Sequence, residues 1–488
     1  MSQPLGARPP QRREATFPES HAGSVGRLER SFVALAAGDV LARGAAFAAT
    51  VYLARALGAD RYGVIALAAA ITLYPAGLAD FGIVTLGSRD VAHDPARARA
   101  LASALITGRV LIACGAAAGM AALAYGLLGA PEAAVFAGYA LTLLAVGLNA
   151  TWILVGLEEP LPAGVARVAG ALVALGAIFL FVRGPADVAR VPLAVLAGEL
   201  CTVLIVQLAA ERRGFRIRPR WDPAAVAPVF RRALPLVGHT LLSLSIFNAD
   251  LVLVRIFLDR AALGSYAAAY ALVTLLVNLG VLYAQSLAVA LTRVRAGGQD
   301  GALLQTSYAR IFALALPAAL GGAALAPRII ETFFGAAYGG AALALVVLLA
   351  SVPIAVLRSA AIAALISRGG GGMIFRITAF AAVTATVLGL ALIPGLGILG
   401  AALATVATEA AHAFWSLRAA RELGFAAMEP RRFLVPSLAG ALMVGVVLAV
   451  AARPLWVSVP VGALVYASAL AACGALRLRL DGMPTLRV

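Results

Sequence analysis

The chain has 488 residues, of which 62% are hydrophobic and only 13% are charged, and its mean hydropathy is +0.95. This balance excludes a soluble globular protein and, with repeated apolar runs of about twenty residues, predicts an all-α polytopic membrane protein. The net charge is +16, and all 39 basic residues are arginine. The arginines concentrate in alternate short loops, a positive-inside pattern that argues against nucleic acid as a partner.

Residues 1–30 form a polar segment with five arginines and no apolar run. We predict a disordered cytoplasmic tail whose charge helps to orient the first span. Arg12 and Arg13 resemble a twin-arginine signal, but no apolar core follows promptly and no cleavage site is visible.

The first predicted span, 32–54, carries Asp39 and Arg43 among otherwise apolar residues. A charge inside the membrane is costly and normally faces a cavity, a partner helix or water instead of lipid. The two residues are four positions apart and therefore share one helical face. Two hypotheses follow: the pair only neutralises itself, or Arg43 binds an anionic cargo while Asp39 holds the guanidinium in place.

Hydropathy predicts about fourteen spans, joined by loops that are mostly too short to hold a domain. The arginine-rich loops and both terminal tails fall on one side, which predicts cytoplasmic termini. The loop 211–232, with seven arginines, is the plausible linker. The predicted divisions are the tail 1–30, a first lobe 31–210, the basic linker 211–232, a second lobe 233–420 and a C-terminal helix pair 421–488.

The two predicted lobes carry a sequence echo. LVRIFLDRAALGSYAAAYAL parallels LARALGADRYGVIALAAA and matches Arg255 with Arg55 and Gly264 with Gly63. With six spans in each lobe, both lobes start on the same side of the membrane. The echo therefore predicts a parallel repeat about an axis along the membrane normal.

The span that opens the second lobe is as polar as the first span. Asp250 has Asn248 beside it, and His239 and Ser243 fall on the same helical face as Asp250. A buried carboxylate beside an amide and hydroxyls is a candidate proton or sodium site. The alternative is a helix–helix hydrogen bond or a pair with an arginine.

Three later charges also lie inside predicted spans. Arg358 lies deep in the tenth span, and Glu409 and His412 share one face of the twelfth span, as a proton-relay pair would. Arg109 lies near the cytoplasmic end of the third span, where snorkelling explains it. No ATP-binding motif, metal-ligand spacing or nucleophile motif occurs, so we predict no enzyme activity, no metal and no cofactor apart from H+ or Na+ as a coupling ion.

Two segments resemble the polysaccharide-repeat flippases of the multidrug/oligosaccharidyl-lipid/polysaccharide exporter superfamily over residues 31–160. LARALGADRYGVIALA, followed by LADFGIVTLGSRDVA, is similar to the family's A-R-x-L-G elbow and D-x-G-x(n)-R stretch. NATWILVGLEE is similar to the family's W-x-x-x-G-x-E, except that Val155 replaces the frequent Gln. The matching residues are Ala54, Arg55, Leu57, Gly58, Asp80, Gly82, Arg89, Trp152, Gly156 and Glu158.

The resemblance implies two six-helix lobes around a central cavity and alternating access. The implied cargo is an undecaprenyl-pyrophosphate-linked oligosaccharide, moved from the cytoplasmic to the outer leaflet of the bacterial inner membrane. Arg43 with Asp39, Arg255 and Arg358 would line an anion-binding cavity. Implied partners are the lipid-linked oligosaccharide, membrane lipids and glycan polymerase or assembly proteins. The C-terminal pair departs from the commonest twelve-span layout and matches the fourteen spans of lipid II flippases.

Four alternatives remain open. A lipid II-type flippase of the same superfamily would share the fourteen-span layout. A drug/cation antiporter of that superfamily should have an acidic or apolar cavity, whereas the arginines favour an anionic cargo. A membrane polymerase or ligase should carry a long outside loop with catalytic residues, and no predicted outside loop is long. A non-transporting scaffold for glycan assembly is the fourth alternative.

Overall fold

The computed structural model describes residues 21–474, 476–478 and 484–486. Residues 1–20 of the predicted tail lie outside this description. Helix α1 begins at His21, within the segment predicted as the tail. No proline occurs between Pro18 and Pro75, so nothing in that stretch interrupts the helical hydrogen bonds.

Helices make up nearly all of the described chain. They are α1 His21–Asp80, α2 Ile83–His93, α3 Pro95–Leu127, α4 Ala130–Leu148, α5 Thr151–Gly156, α6 Pro160–Phe181, α7 Val191–Glu211, α8 Pro223–Phe257, α9 Arg260–Val294, α10 Asp300–Ala324, α11 Ala326–Phe334, α12 Ala342–Ser367, α13 Gly371–Glu422, α14 Arg431–Ala449 and α15 Leu455–Ala472. Short 3-10 helices span Pro185–Arg190, Arg295–Gly297 and Ala336–Ala341. Strands β1 Leu476–Leu478 and β2 Pro484–Leu486 pair antiparallel.

Eleven helices of the described chain are long and apolar enough to cross a membrane, or up to twelve if the bent α8 counts as one span. Two of the eleven are far too long for one crossing, because Gly38–His93 has 56 residues and Gly371–Glu422 has 52. A single crossing needs about 20 residues. Both helices therefore need a break if all their apolar residues are to stay within the bilayer.

Each of these long helices leaves helical geometry at one glycine. Gly58 has φ 75° and Gly397 has φ 61°, backbone angles that residues with a Cβ rarely adopt. A Cβ on Gly400 would lie 2.3 Å from the carbonyl oxygen of Leu392, so the chain folds back at Gly397. Counting the arms before and after each glycine as separate spans, with the bent α8, gives the predicted number of about fourteen.

The helices pack as two lobes and a C-terminal pair. In the first lobe α3 packs on α4, α6 packs on α7, and α1 packs on both α4 and α6. In the second lobe α12 packs on α9, α10 and α13, and α13 packs on α8. Helices α14 and α15 pack on each other and on α10. The lobes meet where α1 contacts α8 and α9, and the predicted all-α fold class is confirmed.

The sequence motifs of the first lobe form one packing junction between α2 and α5. Trp152 is fully buried against Gly87, where a Cβ would lie 2.6 Å from the indole ring. A Cβ on Gly156 would lie 2.5 Å from the carbonyl oxygen of Ser88. Gly87 and Gly156 therefore let α2 and α5 approach each other closely. The spacing of these motif residues serves helix packing.

Arg109 stabilises the same junction from α3. Only 1% of this residue is exposed, so it does not snorkel, and that prediction was wrong. Its guanidinium donates to the carbonyl oxygens of Asn149 (2.7 Å) and Val146 (2.8 Å) and to Asp80 Oδ1 (3.0 Å). The carbonyl of Val146 already accepts from the Asn149 backbone N–H, and Arg109 adds a second hydrogen bond there and one to the Asn149 carbonyl just past the end of α4.

The two glycines of the sequence echo lie at one crossing of α1 and α9. A Cβ on Gly63 would lie 2.3 Å from the carbonyl oxygen of Arg260, and a Cβ on Gly264 would lie 1.9 Å from that of Ala59. The two backbones therefore touch, and only glycine fits on either side. The matched residues of the two lobes form the contact between the lobes.

Polar contacts flank this crossing. Arg55 Nε donates to the carbonyl oxygen of Phe333 at 2.8 Å, which joins α1 to α11. Arg260 at the start of α9 forms an ion pair with Glu132 in the first turn of α4. These contacts and the glycine crossing close one end of the interface between the lobes.

We predict that Gly264→Ala lowers the free energy of unfolding by about 1–3 kcal/mol, the usual range for overpacking a tight contact. The added methyl group cannot fit against the Ala59 backbone without separating α1 from α9. Chemical denaturation in detergent micelles measures the change.

The matched control is Gly115→Ala in α3, where no described atom lies within 4 Å of the added Cβ. Alanine is a better helix former than glycine by about 1 kcal/mol, so this variant should be as stable as the original or slightly more stable. Equal effects of the two substitutions would contradict the close crossing.

Candidate functional site

The first cavity lies within the first lobe and has a volume of 620 Å³. Both arms of α1 contribute to its wall, together with residues of α4 to α7. Most of the lining is Ala, Gly and aliphatic side chains, which leave room for a ligand. The charged lining residues are Asp39, Arg43, Arg167 and Glu199.

Asp39 is the centre of this charged group. The residue is 5% exposed, and its Oδ2 accepts a hydrogen bond from Arg43 Nε at 2.7 Å. Its Oδ1 accepts a second hydrogen bond from Arg167 Nη1 in α6. The side chains of Arg43 and Arg167 are 34% and 50% exposed, so both guanidiniums keep donors free for a ligand in the cavity.

Arg167 is the residue that the sequence reasoning missed. It lies in the first third of α6, in an apolar run, so the criterion that singled out Arg43 would also have found it. Glu199 in α7 lines the same cavity and interacts electrostatically with Arg167. The four side chains together carry no net charge, and the two arginines share one deeply buried carboxylate, Asp39.

The second cavity has a volume of 370 Å³ and is lined by the second lobe together with Leu73 of α1. Asp250 lines it, and its Oδ2 accepts hydrogen bonds from the Tyr266 hydroxyl (2.6 Å) and Thr405 Oγ1 (3.5 Å). Asn248 also lines the cavity, and its Nδ2 donates to the carbonyl oxygen of Leu244 at 3.0 Å. Asp250 and Asn248 therefore face this cavity, whereas His239 and Ser243 of the predicted polar face are not among its lining residues.

Helix α8 is broken beside these residues. Its two parts, Pro223–Ile246 and Asn248–Phe257, meet at an angle of 51°. A break inside the membrane exposes backbone groups that a straight helix would pair, and such breaks mark ion and substrate sites in transporters.

Arg358 and Glu409 form an ion pair at the base of the second cavity. Arg358 Nε lies 2.8 Å from Glu409 Oε2, and each residue is 5% exposed. Glu409 lines the cavity together with Thr408. His412, one turn further along α13, is also buried.

The structure separates the four residues predicted to bind cargo. Asp39 and Arg43 lie together in the first cavity, whereas Arg358 lies in the second lobe beside Glu409. Arg255 lies in the last turn of α8, partly buried, and is not among the described residues that line either cavity. The four predicted ion-coupling residues, Asp250, Asn248, Glu409 and His412, lie in or beside the second cavity.

A third, apolar groove of 410 Å³ runs between the C-terminal pair and the second lobe. Its walls come from α9, α10 and α12 on one side and from α14 and α15 on the other. Leu272, Leu276, Met443 and Val447 are typical of its lining. Within the described ranges no group of three or more His, Cys, Asp or Glu residues is arranged to hold a metal ion.

The fold is that of a multi-pass helical membrane protein with two charged cavities. Residues 28–289, more than half of the chain, match the family described as "Polysaccharide biosynthesis protein". The chain belongs to this family. No curated protein matches it in sequence.

Solved structures share the fold at low sequence identity. The lipid II flippase MurJ, in an inward closed conformation, is 14% identical, with a TM-score of 0.75 over 90% of this chain and 98% of MurJ. A multidrug resistance MATE family transporter of the MOP superfamily, facing inward, is 16% identical, with a TM-score of 0.62 over 78% and 93%. A MATE transporter from Vibrio cholerae is 16% identical, with a TM-score of 0.52 over 82% and 98%.

We predict that Arg358→Met lowers the free energy of unfolding by about 3–5 kcal/mol, because it leaves the Glu409 carboxylate buried without its partner. The double variant Arg358→Met with Glu409→Leu should recover most of this loss, since apolar replacements of a whole buried ion pair are often neutral. Chemical denaturation in detergent micelles compares the variants. A double variant no more stable than the single one would contradict direct pairing.

Proposed function

We propose that the chain is a flippase for an undecaprenyl-pyrophosphate-linked oligosaccharide repeat unit. It moves this cargo from the cytoplasmic to the outer leaflet of the bacterial inner membrane, by alternating access, with energy from an ion gradient. Glycan polymerase or assembly proteins would take up the product. The observation that carries the proposal is the pair of half-exposed guanidiniums that share Asp39 in the first cavity.

The charge arrangement suits a pyrophosphate headgroup. An anion with several charges cannot enter the bilayer without compensating positive charge. Arg43 and Arg167 offer two planar guanidiniums, each able to donate two parallel hydrogen bonds to phosphate oxygens. Asp39 holds both arginine side chains in place while the cavity is empty. Binding of the cargo therefore costs little side-chain entropy.

Arginine distribution supports loading from the cytoplasm. The positive-inside rule places Gly58 outside and the beginning of α1 inside. Arg43 lies fifteen residues before Gly58, which corresponds to about 22 Å of helix and places it in the cytoplasmic half of the bilayer. Both termini are then cytoplasmic. The crossing of Gly63 and Gly264 closes the outer end of the interface, which corresponds to a state that receives cargo from inside.

The apolar groove beside α14 and α15 supports a lipid-linked cargo. A polyprenyl chain is flexible, long and wholly apolar, and the groove is lined almost entirely by aliphatic side chains. A headgroup could lie in the first cavity while its lipid chain stays at the protein surface.

One observation favours a second candidate, a lipid II-type flippase. The structural match to MurJ extends over 90% of this chain and 98% of MurJ. Lipid II also carries a pyrophosphate on an undecaprenyl chain, so the first cavity suits either cargo. Flipping assays with both lipids in parallel would separate the candidates, and the match to the polysaccharide biosynthesis family favours the repeat unit.

We predict that Arg43→Gln and Arg167→Gln each slow flipping by about 10-fold or more, because a hydrogen bond to a charged group contributes about 1.5–3 kcal/mol. Arg43→Lys and Arg167→Lys should keep partial activity, since Lys still binds phosphate as a point charge. Proteoliposomes that contain undecaprenyl-pyrophosphate-linked sugar, with an external phosphatase or lectin as probe, measure the rate.

A triple variant tests the alternative in which the arginines only neutralise Asp39. Asp39→Asn with Arg43→Gln and Arg167→Gln removes all three charges of this cluster. If the cluster is purely structural, the triple variant should regain the activity that the single changes lose. A triple variant as active as the original at equal expression would refute phosphate binding. Arg183→Gln, on an exposed residue outside the first cavity, is the matched control.

We predict that Asp250→Asn makes flipping independent of the ion gradient while the protein remains folded and inserted. The substitution keeps the shape of the side chain in the second cavity and removes the charge that a coupling cation needs. Flipping rates with and without imposed pH and sodium gradients measure the dependence. Unchanged dependence on both gradients in the variant would reduce Asp250 to a packing residue.

A further inference from the structure

A stripe of polar side chains runs along the second arm of α13, from Gly397 toward Glu422. Its members recur every three or four residues and therefore share one helical face. Thr405 contacts Asp250 at one end, Glu409 pairs with Arg358 in the middle, and Ser416 donates to the carbonyl oxygen of His412 at the other end. The stripe thus extends beyond the second cavity, toward the cytoplasmic end of α13.

His412 is the unusual member of this stripe. It is 3% exposed, and neither of its ring nitrogens has a hydrogen-bond partner among the residues that the structure describes. Thr408 Oγ1, which lies on the cavity wall, also lacks a partner within the described chain. An unsatisfied buried polar group costs about 1–3 kcal/mol, so its presence calls for an explanation such as a catalytic or transport role.

The surroundings of His412 are rich in ionisable groups. Arg358 from α12 and His239 from α8 oppose a positive charge on its ring, and Glu409 precedes it by one turn on the same helix. Asp250 from α8 and Tyr270 from α9 line the cavity beyond Glu409, and Tyr266 donates to Asp250. The ionisable groups around the path are Asp250, Tyr266, Tyr270, Arg358, Glu409 and His239.

We propose that the coupling ion is a proton and that His412 passes it between the second cavity and the cytoplasm. This inference rests on the ion coupling of the proposed function and names the ion. A proton enters the cavity, which has room for several waters, and binds a carboxylate oxygen of Asp250 or Glu409. Protonation of Glu409 removes its charge and loosens its pair with Arg358.

The imidazole then completes the path. The proton leaves the carboxyl group for the unprotonated ring nitrogen of His412, which becomes an imidazolium with a proton on each nitrogen. The second nitrogen releases its proton toward the cytoplasmic end of α13, and the ring returns to the neutral state in the other tautomer. A half-turn of the ring then brings the unprotonated nitrogen back toward the second cavity, ready for the next proton. One proton enters, one leaves, and no electron moves.

Sodium fits these groups less well. Hard cations take oxygen ligands, and an imidazole is not one of them.

The test is charge movement by the reconstituted full chain on a solid-supported membrane, with no cargo added. A pH jump should give a transient current, and a sodium jump of equal size should give none. His412→Gln should reduce the charge moved by the pH jump at least 10-fold. His93→Gln, which changes an exposed histidine at the end of α2, should leave it unchanged.

Either a current after the sodium jump or an undiminished pH-jump current in His412→Gln would overturn the proposal. If His412→Gln inserts poorly, His412→Asn serves the same comparison, with intrinsic fluorescence unfolding as the check on folding. The experiment is independent of the cargo. A chain that fails to flip lipid but shows the His412-dependent current would refute the proposed cargo alone.

Discussion

The cost of a charge in the bilayer governs this structure. Arg109, Arg167 and Arg358 lie inside the lobes, and each pairs with a carboxylate on another helix: Asp80, Asp39 and Glu409 respectively. An unpaired charge at these positions would cost several kcal/mol, so each pairing fixes the relative positions of two helices. These ion pairs therefore set how the helices align with one another, and apolar side chains pack between them.

Close helix contacts are the second requirement, because apolar side chains gain little by leaving lipid for the protein interior. The described chain meets it with glycine at the crossings. Gly63 and Gly264 join the lobes, while Gly87 and Gly156 let α2 and α5 touch. The closest contact between the lobes has no side chain on either helix. Such a contact can open without removing a side chain from a pocket, which suits an interface that must separate and close repeatedly.

Much of the fold could be predicted from the sequence, because hydropathy and loop charge are local properties. The number of spans, the two lobes and the Asp39–Arg43 pair follow from spacing alone. The partners of Arg167 and Arg358 could not be predicted, since they lie 128 and 51 positions away. Arg109 was misread for the same reason, because the carbonyls that hold it belong to the end of α4. The role of Gly63 and Gly264 could not be predicted either, because it depends on their meeting at one helix crossing.

The two lobes differ in the chemistry of their cavities. The first cavity holds two guanidiniums on one buried carboxylate, which suits an anion. The second cavity holds carboxylates, hydroxyls and, beyond it, an imidazole, which suits a cation that moves as a proton. The two ligands therefore do not compete for the same groups. Contacts of α1 with α8 and α9 join the lobes and offer one route for coupling between them, beside the contact of α3 with α8 and the ion pair of Arg260 with Glu132. A proton that loosens Arg358 from Glu409 changes the packing of α12 on α13, and α12 also packs on α9. The crossing of Gly63 and Gly264 on α9 is thus one element through which neutralisation in one lobe can alter access to the other.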